Sequence, residues 1–356
     1  MPSSPQRQAA QTGRATLSDV AREADVSLAT VDRVLNKRPG VHARSIAQVN
    51  EAVERLNYRP DPAAARLARP HPHRVSFLLP SGNNTFVDML REQVAGNGGW
   101  MEDHRVSAQV HEVDVFEPQR LARRILALRG QCDTAVVMAL DHPLVQAAID
   151  ELVAHGIGVI TLVSDVPKSR RQHFVGIDNV AAGRTAATLV GRFSGGTNGG
   201  INGEVGVIVG SLSLRDHAER SSGFSQVMAA EYPGLKVLPP MEGKDDPKLA
   251  QQLSARLLAA HPKLVALYSV GAGNRGISAT LKASGRAGRV VFVGHELTPA
   301  ARADLLDGTM AAVINQDAGH EIRSALRLAV ARQTREPVHA DQERIRIDIY
   351  LKDNLP

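Results

Sequence analysis

After residue 73 the chain alternates between two patterns, and that alternation constrains its fold more than any other feature. Strand-like apolar runs stand at 74-RVSFLLP-80, 134-TAVVMAL-140, 157-IGVITLV-163, 204-EVGVIVG-210, 263-KLVALYSV-270 and 290-VVFVGHE-296. Between them apolar residues recur at helical spacing, over 84–95, 142–155, 180–193, 215–230, 247–260 and 317–332. Alternation of this kind implies parallel sheets with helices on both faces. More than ten strands is too many for one comfortable sheet, and the pattern restarts near residue 204. The expected body is two similar α/β lobes with a cleft between them. The glycine-rich 194-SGGTNGGINGE-204 then reads as a surface loop before the second lobe.

The first 74 residues are built differently. They hold 12 Lys and Arg against 7 Asp and Glu, whereas the remainder holds 30 of each. The whole net charge of +5 therefore sits in the first fifth of the chain. A small basic head on a neutral body is the electrostatic footprint of a nucleic-acid-binding module. Within it Leu17, Val20, Ala21 and Ala24 recur at helical spacing. Thr16 or Ser18 can cap the first turn, and Asp19 suits its positive end. The helix must stop at Asp25, a residue type that accepts a left-handed backbone more readily than most. Ser27 caps a second helix with Val31, Val34 and Leu35 as its buried stripe. A third helix, near 44–57, closes the core with Ile46, Val49, Val53 and Leu56. Two short helices joined by a tight turn form a helix-turn-helix, whose second helix enters the DNA major groove.

These residues carry a resemblance. The run 17-LSDVAREADVSLATVDRVLN-36, followed by 51-EAVERLNYRPDPAAARLA-68, resembles the DNA-binding head of the lactose-repressor (LacI/GalR) family of bacterial transcriptional regulators. The resemblance implies that Leu28 and Ala29 face bases from the recognition helix. It makes Arg33 the base-reading arginine, suited to bidentate contact with guanine. Ser27, Thr30 and Asn36 match positions that hold phosphates or steady the helix. Three positions depart from the family pattern: Asp25 replaces a turn glycine, Asp32 a serine near the phosphates, and His42 a helix-capping serine. Asp32 would repel phosphate unless it pairs with Arg33 or a neighbouring base edge.

Pro60, Pro62, Pro70 and Pro72 bracket 63-AAARLA-68, a helical segment too short to be stable alone in water. In the resembling family this is the hinge helix, which orders when two copies meet on DNA. Leu67 matches the leucine that wedges into the minor groove and kinks the duplex. The expected organisation is a disordered tail over 1–14, a helix-turn-helix domain over 15–59, a hinge helix and linker over 60–73, and the two-lobe body over 74–350.

The body in turn resembles the sugar-binding lobes of periplasmic binding proteins, ribose-binding types above all. Ligands of such folds sit between the lobes, at the C-terminal ends of strands. The matching positions imply Asn84 and Phe86 as an amide and an aromatic plate for a sugar ring. Asp165 and Asp178 become acceptors for hydroxyl groups, and Arg220 in 219-ERSSGF-224 becomes the ligand-clamping arginine. Asn274, Glu296 and Gln316 complete the set. Glu296 stands where aspartate is more usual, so its longer arm implies a different ligand size or hydroxyl pattern.

One motif argues for a rival. The stretch 271-GAGNRG-276 spells G-x-G-x-x-G after a strand and before a helix, and Glu296 lies twenty residues on. That is the dinucleotide-binding fingerprint of an oxidoreductase. Its place in the second lobe, away from a first βα unit, argues against that reading. No G-x-S-x-G elbow, H-E-x-x-H pair or C-x-x-C occurs, so no catalytic residue, cofactor or metal is expected.

A single cysteine, Cys132, precludes an internal disulfide and fits a reducing compartment. The polar N-terminus lacks a signal-peptide core, and no run approaches the roughly 18 apolar residues of a membrane helix. The expected protein is a cytoplasmic, non-enzymatic regulator, a repressor with no membrane contact. As a homodimer it would bind double-stranded DNA at a pseudo-palindromic operator under control of a small sugar or polyol. A transporter's solute-binding protein is the alternative, disfavoured by the basic head. Tetramers of the resembling family use an added C-terminal leucine-repeat helix. Only KDNLP follows 344-RIRIDIYL-351, so a dimer is expected, with helices near 84–104 or 271–284 as its surface.

Overall fold

The computed structural model describes residues 15–35, 38–59, 71–195, 202–334 and 336–356. The expectations for the 1–14 tail, Asn36, the hinge segment 60–70 with Leu67, and 196–201 of the glycine-rich loop lie outside the described residues. The chain divides into two units, Met1–Pro70 and His71–Pro356.

In the smaller unit the polar punctuation starts and stops three helices, α1 (Leu17–Glu23), α2 (Leu28–Leu35) and α3 (Ala43–Arg55). Thr16 and Asp19 form a capping box: Asp19 accepts from the Thr16 N–H at 2.9 Å, and Thr16 Oγ1 accepts from the Asp19 N–H at 3.3 Å. Two orphan donors of the first turn are thereby satisfied. Beyond α1 the chain turns through Asp25 at φ 51°, the left-handed conformation its side chain tolerates. Val20, Ala21, Ala24, Val31, Val49 and Ala52 bury one another together with Tyr58. Ile46, expected in this core, is 39% exposed. Ile46 lies in the first turn of α3, one turn ahead of the buried Val49 and Ala52. Arg55 ties α3 to α1 through Glu23 at 2.5 Å.

The larger unit holds two sheets. The first has five parallel strands in the order β2-β1-β3-β4-β5: β1 (His73–Pro80), β2 (Val106–Val113), β3 (Thr134–Val137), β4 (Gly158–Leu162) and β5 (His173–Val175). The second has seven, in the order β12-β11-β10-β9-β6-β7 with β8 beside β6. Its members are β6 (Gly203–Val209), β7 (Leu235–Val237), β8 (Met241–Glu242), β9 (Leu264–Ser269), β10 (Val291–His295), β11 (Ala312–Asn315) and β12 (Asp348–Tyr350). Among the described residues only β12 runs antiparallel, against β11. The two-lobed parallel α/β architecture is thus the one the alternating pattern implies.

Two helices cross between the sheets and join the lobes. Helix α8 (Asn179–Phe193) follows β5 yet packs on β9, β10 and β11 of the second sheet. Helix α13 (Ala318–Thr334) follows β11 yet packs on β1, β4 and β5 of the first. The largest hydrophobic cluster accordingly spans both sheets, with Phe77, Val136, Val205 and Tyr268 among its members. Separate clusters fill one lobe each, around Ile125 and Leu152 and around Leu267 and Phe292.

Helix α8 lies against α9 (Arg215–Glu231) at glycine contacts. A Cβ on Gly183 would stand 1.9 Å from the Arg220 carbonyl oxygen, and one on Gly223 would stand 2.3 Å from that of Val180. Backbone approach this close is open only to glycine, and it sets where Arg220 sits. No helix of the described residues is long and apolar enough to cross a membrane.

Candidate functional site

On the head, α2 divides into two faces. Val31 turns into the core, while Leu28 (51% exposed), Ala29 and Arg33 are exposed on the opposite side. Ser27 and Thr30 steady the start of this helix. Their hydroxyls share a hydrogen bond at 2.9 Å, and Ser27 Oγ accepts from the Thr30 N–H at 3.2 Å. Asp32 pairs with Arg38 at 3.1 Å, not with Arg33 as the sequence offered. Neighbours on a helix point about 100° apart and do not face each other. Arg38 is brought back by its own N–H, which donates to the Arg33 carbonyl at 2.8 Å. His42 opens α3 without a side-chain cap.

In the body, a buried polar cluster forms at the C-terminal ends of the second sheet's strands. Arg220, in the second turn of α9, is 1% exposed. Its Nε donates to Asn179 Oδ1 at 2.8 Å, and its Nη1 donates to the Val270 carbonyl at 3.0 Å and lies 3.8 Å from Glu296 Oε1. Glu296 follows β10 at φ 68°. A non-glycine residue held there is strained, and such strain gathers at functional sites. Glu296 Oε1 accepts from Gln316 Nε2 at 2.8 Å, just before the chain crosses into α13. Asn274 opens α11 (Asn274–Ala283) and donates to the His295 carbonyl at 2.8 Å. The His295 ring shares a 2.8 Å hydrogen bond with the Tyr268 hydroxyl. Burial, reinforced by Arg220 and His217, holds His295 well below its usual range and keeps it neutral. Asp216 and Glu321, each in the first turn of its helix, are 2% and 0% exposed.

Burial pushes Glu296 up to about 7 against the opposing pull of Arg220. Burial, with Glu296 nearby, pushes Glu321 well above the carboxylate range. A carboxyl with a raised folded-state pKa holds its proton more tightly when folded. Its stabilising contribution is complete below the ordinary value of 4.5 and is lost as pH rises toward about 7. Unfolding free energy should therefore decline across that window, by up to about 1.4 kcal/mol per pH unit from this group. Urea titrations at pH 5 and pH 7 check it. Glu296→Gln should flatten the decline, and an unchanged slope would contradict the burial described.

Arg220, Asn274, Glu296 and Gln316 thus come together as the sequence proposed, and the other four candidates do otherwise. Asp178 is exposed and caps α8, accepting from the Ala181 N–H at 2.9 Å. Its neighbour Asn179, 3% exposed, is the residue that meets Arg220. Asp165 is gripped by Arg171 through both oxygens, at 2.5 and 2.6 Å, and also accepts from Thr161 Oγ1 at 2.6 Å. Asn84 caps α4 (Thr85–Gly96) through the Phe86 N–H at 3.0 Å. Phe86 is 4% exposed within the largest hydrophobic cluster. Sequence reasoning misses Asn179, Asp216, His295 and Glu321. Glu321 carried a signal, because it shares the stripe of Ala325 and Leu328 on α13, where a carboxylate is out of place. Across α9, a groove of about 700 Å3 has Phe116, Asp141 and His142 from one lobe and Ser211, Arg215 and Glu219 from the other. Arg215 reaches Asp141 at 3.3 Å.

The glycines of 271-GAGNRG-276 have a packing explanation. Asp245 Oδ1 accepts from the Ala272 N–H at 2.9 Å and lies 2.6 Å from where a Gly271 Cβ would be. A Cβ on Gly276 would stand 1.9 Å from the Pro247 carbonyl of α10 (Pro247–Ala260). A carboxylate therefore occupies the loop amide that a pyrophosphate would need.

Residues 75–336 match the periplasmic binding protein domain, and residues 16–61 match the bacterial regulatory proteins of the lacI family. Catabolite control protein A of Staphylococcus aureus is 44% identical over 75 residues, 21% of this chain and 23% of that protein. The Staphylococcus xylosus protein of the same name is 41% identical over 75 residues, with the same coverage. The match thus spans less than a quarter of the length of these relatives. Among solved structures, a glucose-galactose binding protein from Geobacillus stearothermophilus superposes with a TM-score of 0.71 at 20% identity, covering 81% of this chain and 100% of that one. A solute-binding protein of an ABC transporter from Burkholderia graminis, in complex with D-arabinose, gives 0.71 at 23% identity, covering 80% and 97%. Such identities speak for the fold alone. Matched over most of its length, the chain belongs to the periplasmic binding protein domain family, and it has a head, residues 16–61, that matches the bacterial regulatory proteins of the lacI family.

Proposed function

We propose that this protein is a sequence-specific DNA-binding regulator of transcription, a repressor, controlled by a small sugar or polyol held between the lobes of its body. One observation carries the reading: a lacI-type head over 16–61 and a binding-protein body over 75–336 occur in the same chain. A transporter's solute-binding protein has use for the second and none for the first. The sugar class follows from the names of the fold neighbours, a glucose-galactose binding protein and a protein in complex with D-arabinose.

In this reading Leu28 and Ala29 face base edges, Arg33 reads guanine, and Leu67 enters the minor groove. Ser27, Thr30 and Asn36 hold the helix against the phosphates. Arg220 clamps the effector with Asn274, Glu296 and Gln316, while Asn84 and Asp178 cap their helices, Phe86 packs in the core and Asp165 is held by Arg171. The domains divide as 15–59, 60–73 and 74–350, and the protein works in the cytoplasm without a catalytic step. An effector that prefers one lobe arrangement shifts the equilibrium toward it. That shift changes the spacing of the two hinge helices in a homodimer, matched to a pseudo-palindromic operator.

Gel-shift titration with full-length protein tests the assignment. Arg33→Ala should weaken operator binding by roughly 1–3 kcal/mol, the usual worth of a bidentate base contact, and relax preference at one position of each half-site. Binding should fall steeply with salt, because phosphate contacts release counterions. Operator preference that survives Arg33→Ala would remove α2 from the DNA. Light scattering should give a dimer at micromolar concentration, and a monomer or tetramer contradicts the assembly.

A further inference from the structure

Around Arg220 the buried side chains present more hydrogen-bond acceptors than donors. Six oxygens there have no hydrogen-bond partner among the described residues: Asp216 Oδ1, Asn274 Oδ1, Glu296 Oε2, Gln316 Oε1 and both oxygens of Glu321. Arg220 Nη2 is the unmatched donor beside them, and His295 Nδ1 can act in either role. Each of these residues is more than nine-tenths buried. Buried polar atoms are seldom left unpaired, and each one left so costs free energy. The guanidinium is aimed into this group, fixed by Asn179 and the Val270 carbonyl and 3.8 Å from Glu296.

Carboxyl groups outnumber cations in the same direction. Asp216, Glu296 and Glu321 bring three carboxyl groups within electrostatic reach of one guanidinium. Buried without matching cations, Glu296 and Glu321 are held toward their protonated forms, and a cation placed between them would let both ionise. A ligand ammonium supplies the missing charge and donates three hydrogen bonds while accepting none, which is the complement of the surplus. A metal ion needs converging ligands, and the described residues contain no group of three His, Cys, Asp or Glu able to hold one.

We propose that the effector is an amine-bearing polyol, an amino sugar or amino alcohol in its ammonium form, with the ammonium held between Glu296 and Glu321 beside Arg220. The proposal rests on reading the cleft as a sugar or polyol site, and it narrows the class. A neutral polyol would leave the carboxyl surplus in place.

The test is calorimetry on the full-length protein at pH 7.5 with matched pairs: glucose and glucosamine, galactose and galactosamine, sorbitol and 1-amino-1-deoxysorbitol. At least one amine should bind about tenfold or more tightly than its neutral partner, which corresponds to roughly 1.4 kcal/mol. Glu321→Gln and, separately, Glu296→Gln should bring that ratio down toward one. The wild-type comparison stands by itself if either variant fails to fold. Neutral members that bind as tightly as their amines overturn the amine proposal and leave the sugar reading intact. A panel in which no member binds overturns both.

Discussion

Arg220→Ala should abolish the response to effector, with affinity falling by roughly 30-fold or more, while operator binding persists. The magnitude follows from truncating one member of a buried, hydrogen-bonded charge pair, which costs about 2–5 kcal/mol. Three features make Arg220 the most exacting position in the body. Its guanidinium is held in place by Asn179 and the Val270 carbonyl, it is the cation beside Glu296, and it retains Nη2 for a ligand. Lysine should not rescue it, because a single ammonium lacks the planar fork that serves several partners at once. Loss of the cation also leaves Glu296 buried without its counter-charge. That carboxyl then escapes the cost by keeping its proton, so the variant should lose more stability at pH 8 than at pH 5. Operator binding should persist because the head is a separate unit with its own core. Calorimetry with the sugars named above, paired with gel shifts, decides the matter. Unchanged affinity in Arg220→Ala would take the effector out of this cluster.

Gly183→Ala should destabilise the body by about 3 kcal/mol or more, the upper range for overpacking. The clash is with backbone: the added methyl would stand 1.9 Å from the Arg220 carbonyl oxygen. No rotamer change can relieve it, so α8 must move off α9 and carry Asn179 away from Arg220. Stability and effector affinity should therefore fall together. Gly96→Ala is the control. That glycine ends α4 with nothing within 4 Å of its added Cβ, and alanine is there the better helix former by up to about 1 kcal/mol. Urea denaturation of both variants makes the comparison, and a Gly183→Ala protein as stable as its parent would refute the close α8–α9 contact.

What the sequence determined by itself is local or periodic. The restart of strand and helix near residue 204 specified two sheets, because apolar spacing of 2 or 3.6 residues decides which element forms whatever lies far away. Thr16, Asp19, Asp25 and Ser27 announced the ends of the head's helices, since a cap or a left-handed turn is satisfied within three or four residues. Tertiary structure decided which polar side chains meet. Asp178 and Asn179 are adjacent in sequence, yet one step around a helix is about 100°, so one caps α8 and the other meets Arg220. Asp165 was drawn to Arg171 and Asp32 to Arg38, pairings that depend on where a turn returns the chain. Glu321 joined Glu296 because α13 leaves the second sheet to pack on the first. Contacts of that kind depend on helix phase and on crossings between lobes, which no local pattern of residues encodes.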